Sequence, residues 1–236
     1  MNCKIADLIV EIPEAGDLVP RCKAYLCDSA VTPDIRIRTE LFRMDVWPTK
    51  LDNSLKVYLE SGIQFHVGLL EYCGMMLHAS AVELDGKAYL FSGQSGMGKS
   101  THTRLWKQYF GANAHVFNDD KPAIRCIDGI WYAYGTPWCG KDAININMKV
   151  PIAGVCFLEQ AQYNAIRRLD TRESVQRVVF QTMRKFNKQK DLELMLSHVD
   201  KLVSQIPFFL MENRPELDAV QLSYETMLQA AKEQGL

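Results

Sequence analysis

Three groups of residues could do chemistry together: a glycine-rich run from Gly93 to Thr101, an acidic pair at Asp119 and Asp120, and a histidine at His78. The run Gly93-Gln94-Ser95-Gly96-Met97-Gly98-Lys99-Ser100-Thr101 fits the pattern G-x-x-x-x-G-K-[ST]. Glycines admit backbone conformations closed to other residues, so successive N–H groups can turn inward around a phosphate. A helix starting at the end of such a loop adds its partial positive charge. In that setting Lys99 reaches the β and γ phosphates of a nucleoside triphosphate, and the Ser100 hydroxyl faces Mg²⁺. The competing reading is an ordinary glycine turn with Lys99 on the surface.

The flanks favour the first reading. Lys87 to Phe91 is a short apolar run that reads as a strand, and Thr101 to Tyr109 reads as a helix stopped by Gly111. Upstream, Met75 to Leu84 reads as a strand joined to the loop strand by Asp85-Gly86, a two-residue hairpin signal. Hairpin register then places His78 close to where residues 92–94 leave the sheet. Downstream, His115 to Asn118 reads as a strand ending in Asp119-Asp120, where a metal carboxylate or catalytic base is expected. An Asx turn is the alternative.

Other segments supply the surroundings. Residues 4–11, 34–38 and 55–60 read as strands of a small β-rich section over residues 1–62, ahead of a nucleotide-binding domain over 63–236. Ile63 to Tyr72 has helical spacing. Pro122 to Ile127 and Ile130 to Tyr134, around Asp128-Gly129, read as a second hairpin, which argues for a mixed, largely antiparallel sheet. The loop Gly135-Thr136-Pro137-Trp138-Cys139-Gly140-Lys141 is either an exposed substrate loop or a buried turn anchor. Val150 to Leu158 reads as a buried strand. Thr171 to Lys185 and Asp191 to Gln205 read as helices, joined by the basic stretch Arg184 to Lys190, taken as a solvated helix end. A last strand over Pro207 to Glu212 and a closing helix from Pro215 complete the chain.

The totals narrow the function. A net charge of −1 gives no strong field toward nucleic acid or anionic membrane. The N-terminus has no signal-peptide layout, and no apolar run approaches a membrane span. Seven cysteines without a C-x-x-C pair point to reduced thiols in a cytoplasm, and no paired Cys/His spacing points to zinc.

His78, the Asp-Gly hairpin, Gly93 to Ser100 and Asn118-Asp119-Asp120 together resemble the catalytic domain of HPr kinase/phosphorylase. They are more distantly similar to ATP-dependent phosphoenolpyruvate carboxykinase. The resemblance covers roughly residues 75–160 and extends more loosely to small HPr-kinase-related proteins, some of which phosphorylate a peptide serine. It implies an α/β fold with a mixed-sheet phosphate-loop core, ATP and Mg²⁺ as cofactors, and a peptide, protein or small-molecule hydroxyl as acceptor. It further implies Asp119 as general base, His78 near the transferring phosphate, Lys99 on the phosphates and Ser100 on the metal. The family's glutamate metal ligand has no counterpart between Gly135 and Lys141, so Asp120 is expected to take that work. The family's C-terminal segment is not recognisable, which leaves phosphorolysis and the homo-oligomer open. A carboxykinase-like lyase and a non-catalytic nucleotide sensor are the rival readings.

Overall fold

The computed structural model describes residues 1–28, 30–183 and 188–236. The chain begins with β1 (Asn2–Ile5) and β2 (Leu8–Glu11), an antiparallel pair turning at Ala6 and Asp7, both of which have positive φ. The single strand expected over 4–11 is therefore two halves of a hairpin. After the short helix α1 (Leu18–Cys22), β3 (Ile35–Arg36) adds to β2 in parallel and closes a three-stranded sheet.

The strand expected over Leu55 to Glu60 is helical. It belongs to α2 (Asn53–Leu70), capped by Asp52, whose carboxylate accepts from the Ser54 amide at 2.8 Å. The alternation in Leu55-Lys56-Val57-Tyr58-Leu59-Glu60 suggests period two only in a short window. Over the full element the buried side is Tyr58, Gly62, Phe65, His66 and Leu69, which is helical spacing. Because α2 continues to Leu70, the division expected at 62/63 falls inside a helix.

The large sheet is mixed, as the hairpins indicate. Its strands are β4 (Gly74–Met76), β5 (Ala79–Leu84), β6 (Lys87–Ser92), β7 (His115–Asp120), β8 (Ala123–Ile127), β9 (Ile130–Tyr134), β10 (Lys149–Gln160), β11 (Ala165–Arg168) and β12 (Phe208–Asn213). The order is β4-β8-β9-β10-β6-β5-β7, with β12 also on β10 and β11 on β12. The long β10 is the joint: it runs antiparallel to β9 at Lys149–Pro151, then parallel to β6 and β12. The strand expected over 75–84 breaks at Leu77 and His78. There the chain leaves β4 to meet Gln181 and Thr182 at the end of α4 (Thr171–Gln181).

Alternate residues of the central strands face different cores. Ala79, Ala81, Leu90, Val155, Phe157 and Phe208 pack toward α4 and α5 (Gln189–Gln205) through Val178, Val199 and Leu202. Val82, Phe91, Cys156 and Phe209 pack toward α3 (Lys99–Phe110) and α6 (Leu217–Glu233) through Trp106, Val220 and Met227. Covering both faces explains the unbroken apolar run in β10. The helix expected over 171–185 ends at Gln181, with Thr182 already extended and bridged to Leu77, and residues 184–187, which include most of the basic stretch, lie outside the described residues. Pro215 precedes the cap residue Glu216 of α6 rather than standing in its first turn.

Candidate functional site

The glycine run leaves β6 and enters α3 in a turn only glycines make without strain. Gly93, Gly96 and Gly98 have φ of 149°, 85° and 92°, and Gly98 is the left-handed residue at the N-cap of α3. Gln94, Ser95, Gly96 and Thr101 are exposed, Met97, Gly98 and Ser100 are half-buried, and Gly93 and Lys99 are buried. Lys99 is thus not the surface lysine of a plain turn. Its Nζ donates to the carbonyls of Gly93 at 3.0 Å and Gln94 at 3.1 Å, inside the loop. Burial lowers its pKa, against which the carboxylates of Asp120 and Asp119 act.

The acidic pair comes to the loop from β7, on the other side of β5. Ser80 of β5 pairs with Phe91 of β6 and with Asp119 of β7, so the hairpin and β7 bring the three groups together. The Ser100 hydroxyl donates to Asp119 Oδ1 at 3.0 Å. Asp119 is buried, at 6 % exposure. The next side chain points elsewhere. Asp120 has φ of 116°, a conformation that costs a non-glycine residue on the order of 1–3 kcal/mol. It directs its carboxylate to His78 Nε2 at 3.3 Å and to the ammonium of Lys121. Burial pushes the Asp120 carboxyl up, but His78 and Lys121 outweigh it and hold the pKa at about 2.

His78 lies where hairpin register puts it. Its carbonyl accepts from Ser92 Oγ at 2.8 Å, where β6 ends. Its amide donates to the Gln181 carbonyl at 2.8 Å, and its Nδ1 lies 3.1 Å from Gln181 Oε1. Two contacts from α4 therefore fix a ring whose other nitrogen meets Asp120.

The Gly135–Lys141 loop proves to be an anchor. Trp138 is fully buried, stacked on Phe65 of α2 at 4.6 Å, and its Nε1 donates to Ser61 Oγ at 3.1 Å. Gly62 leaves room for that indole: a Cβ there would meet Trp138 Cδ1 at 3.0 Å. The anchored loop then holds the acidic pair, since Gly140 N–H donates to the Asp119 carbonyl and Cys139 bridges Asp120. The Cys139 carbonyl in turn accepts from Arg21 at 2.6 Å and from Tyr58 Oη at 3.0 Å. Burial first, then the Asp120 carboxylate, pushes the Tyr58 hydroxyl pKa up.

Lys121, Gln181, Tyr58, Arg21 and Cys139 were not among the expected site residues. Lys121, next to the acidic pair, and Cys139, within the Gly135–Lys141 loop, carried a sequence signal. The others arrive from distant segments through tertiary packing.

A cavity opens onto this arrangement, and a larger one is lined by none of its residues. The larger, about 780 Å³, lies between β3, α2 and α5 and includes none of the loop, acidic-pair or histidine residues. The smaller, about 620 Å³, opens directly at Gly93, Gln94 and Met97. Size therefore does not locate the site; contact with the loop does. Among the described residues no helix is long and apolar enough to cross a membrane.

The fold is a mixed α/β sheet, with a glycine-rich strand–loop–helix turn set beside an acidic pair. The family model described as SynChlorMet cassette protein ScmC matches residues 63–214, and the chain belongs to that family. No curated protein matches the chain. Among solved structures the chain is similar to the HPr(Ser) kinase/phosphatase from Coxiella burnetii, with 11 % identity, 66 % of this chain and 97 % of that chain covered, and a TM-score of 0.38.

Proposed function

We propose that the chain is an ATP- and Mg²⁺-dependent kinase that moves the γ-phosphoryl group to a hydroxyl on a peptide, a protein or a small metabolite. The observation that carries this reading is the 3.0 Å contact between Ser100 Oγ and Asp119 Oδ1, one residue from the lysine held inside the glycine loop. The order of His78, hairpin, loop and acidic pair supports a phosphate-loop core of the HPr kinase and carboxykinase type. A hydroxyl and a carboxylate are hard oxygen donors that suit Mg²⁺, which keeps waters and phosphate oxygens as its other ligands. When bound, Mg²⁺ neutralises charge on the β and γ phosphates.

The chain's own residues divide the remaining work. Lys99 exchanges the carbonyls of Gly93 and Gln94 for phosphate oxygens, and the loop N–H groups hold the triphosphate in line. Asp120 accepts the acceptor's hydroxyl proton while that oxygen bonds to the γ phosphorus and the bond to the β–γ bridging oxygen breaks, leaving ADP. With a pKa of about 2 this carboxylate is ionised but weakly basic, so it mainly orients the hydroxyl and takes the proton late. His78, fixed by Gln181, orients Asp120. This division exchanges the duties that the resemblance implies for the two aspartates, because Ser100 meets Asp119 and His78 meets Asp120.

Mg²⁺-dependent ATP turnover by the wild type and by Lys99→Ala tests the reading. Turnover should fall to background in the variant, with an unchanged circular dichroism spectrum. A folded Lys99→Ala protein with wild-type turnover would remove the kinase assignment. Tight ATP binding without turnover in the wild type would favour a nucleotide sensor.

A further inference from the structure

The cavity of about 780 Å³ runs along α2, whose residues Glu60, Ile63, Gln64, Val67, Gly68 and Glu71 line it at helical spacing. At a rise of about 1.5 Å per residue, Glu60 and Glu71 stand about 16 Å apart along the helix axis. One end is marked by the Arg43 amide, which donates to Glu60 Oε2 at 3.1 Å. The other is marked by the start of α5, where Lys190 pairs with Glu71 at 2.7 Å. The cavity is therefore a groove with two distinct ends, remote in its lining from the glycine loop, the acidic pair and the histidine.

Two features of this groove are left unanswered by the fold. Asp191, in the first turn of α5, lines the groove and is 8 % exposed. Among the described residues no hydrogen bond or ion pair reaches its carboxylate. Its neighbour Lys190 turns to Glu71 instead, and Lys188, which also lines the groove, is exposed. A carboxylate taken out of water without a partner is costly, and a cation brought from outside would supply one. The second feature is apolar. Ile63 and Val67 are half-buried, one helical turn apart, and neither joins the three apolar cores formed by the described residues. Leu41 and Val46, on the flanking turns that line the same groove, are 60 % and 44 % exposed.

The spacing of these positions says what would fit. From the Glu71 end, where α5 brings Asp191, Val67 lies one turn back and Ile63 two, in steps of about 6 Å. Alternate side chains of an extended chain repeat about every 6.6 Å. A basic residue seated on Asp191 therefore sets side chains two and four places along over Val67 and Ile63. A helix about 10 Å across and 16 Å long would take up about 1,250 Å³, more than the groove holds.

We propose that this groove docks an extended segment of a partner polypeptide, in which one lysine or arginine is accompanied at the next two alternate positions by apolar residues. The basic residue pairs with Asp191, and the apolar ones cover Val67 and Ile63. The proposal needs only the groove, so it stands or falls apart from the kinase reading.

N-acetyl-lysyl-glycyl-leucyl-glycyl-leucine amide and the same sequence reversed, which cover the two chain directions, serve as probes in saturation-transfer NMR titrations of the full chain. At least one should bind at submillimolar concentration, and replacing its lysine by glutamate should abolish binding. Asp191→Asn, which keeps the shape of the side chain, should weaken the lysine probe roughly thirtyfold, the loss expected when one member of a buried charge pair is neutralised. Val67→Ala, at a half-buried position outside the cores, should weaken it roughly three- to tenfold. Saturating ATP should leave the affinity unchanged. Failure of both probes to bind, equal binding of the glutamate analogues, indifference of a folded Asp191→Asn protein, or displacement of the probe by ATP would overturn the docking site.

Discussion

The two sides of the candidate site are built in opposite ways. The loop side, with His78, Lys99, Ser100, Asp119 and Asp120, comes from one short stretch folded as a hairpin, a loop, a helix and the next strand. Its side chains are polar and meet one another over short sequence distances. The supporting side joins Arg21, Tyr58 and Trp138 to the acidic pair across sequence separations as large as 118 residues. Its contacts are aromatic stacks and hydrogen bonds to backbone carbonyls. One side carries the chemistry while the other holds it in place, so changes on the two sides should fail differently. Loop-side substitutions should act on rate first; support-side substitutions should act on stability first.

The strongest separation is expected from Asp120→Asn. Removing the base should lower phosphoryl transfer roughly 10²–10⁴-fold, while unfolding at neutral pH loses only the stabilisation that His78 and Lys121 give the carboxylate. The same variant has a pH signature. Because the Asp120 carboxyl is held below its ordinary 3.8 at about 2, its stabilisation is present above pH 3.8 and lost as pH falls through about 2. Acid unfolding of the wild type should therefore steepen in that window, and Asp120→Asn should flatten it.

On the supporting side, Trp138→Ala should cost about 3–5 kcal/mol in urea unfolding, because it empties a buried stack on Phe65 and leaves Ser61 without its donor. If that variant kept its stability and lost only turnover, the division between the two sides would be wrong. The smallest effect falls on Gln181→Ala, which frees the His78 ring without touching the acidic pair. It should lower kcat about tenfold with ATP affinity unchanged, and Gln181→Glu, which keeps an oxygen at Nδ1, should restore most of the rate.

The same contrast explains what the sequence disclosed. Gly93 to Thr101, Asp85-Gly86 and Asp119-Asp120 are local patterns whose geometry follows from turn chemistry and hairpin register, and the structure brings them together as expected. The helix over residues 53–60 was hidden because Lys56, Tyr58 and Glu60 alternate with apolar residues for two turns, and the buried side emerges only over the longer element. Trp138 could not be told from an exposed loop residue, because its burial depends on Gly62 and Phe65 of a distant helix. Gln181 ends a helix without distinguishing marks, and only the break in the chain at His78 brings it to the site.

The central claim is the division of duties between the two aspartates, and the Mg²⁺ dependence of phosphoryl transfer tests it most directly. Asp119→Asn should raise the Mg²⁺ concentration for half-maximal rate by roughly 10–100-fold, the usual loss when a partner of a metal site is removed. Asp120→Asn should lower the maximal rate and leave that Mg²⁺ midpoint where it is in the wild type. The reverse pattern, a shifted midpoint for Asp120→Asn and a lowered maximum alone for Asp119→Asn, would contradict the account.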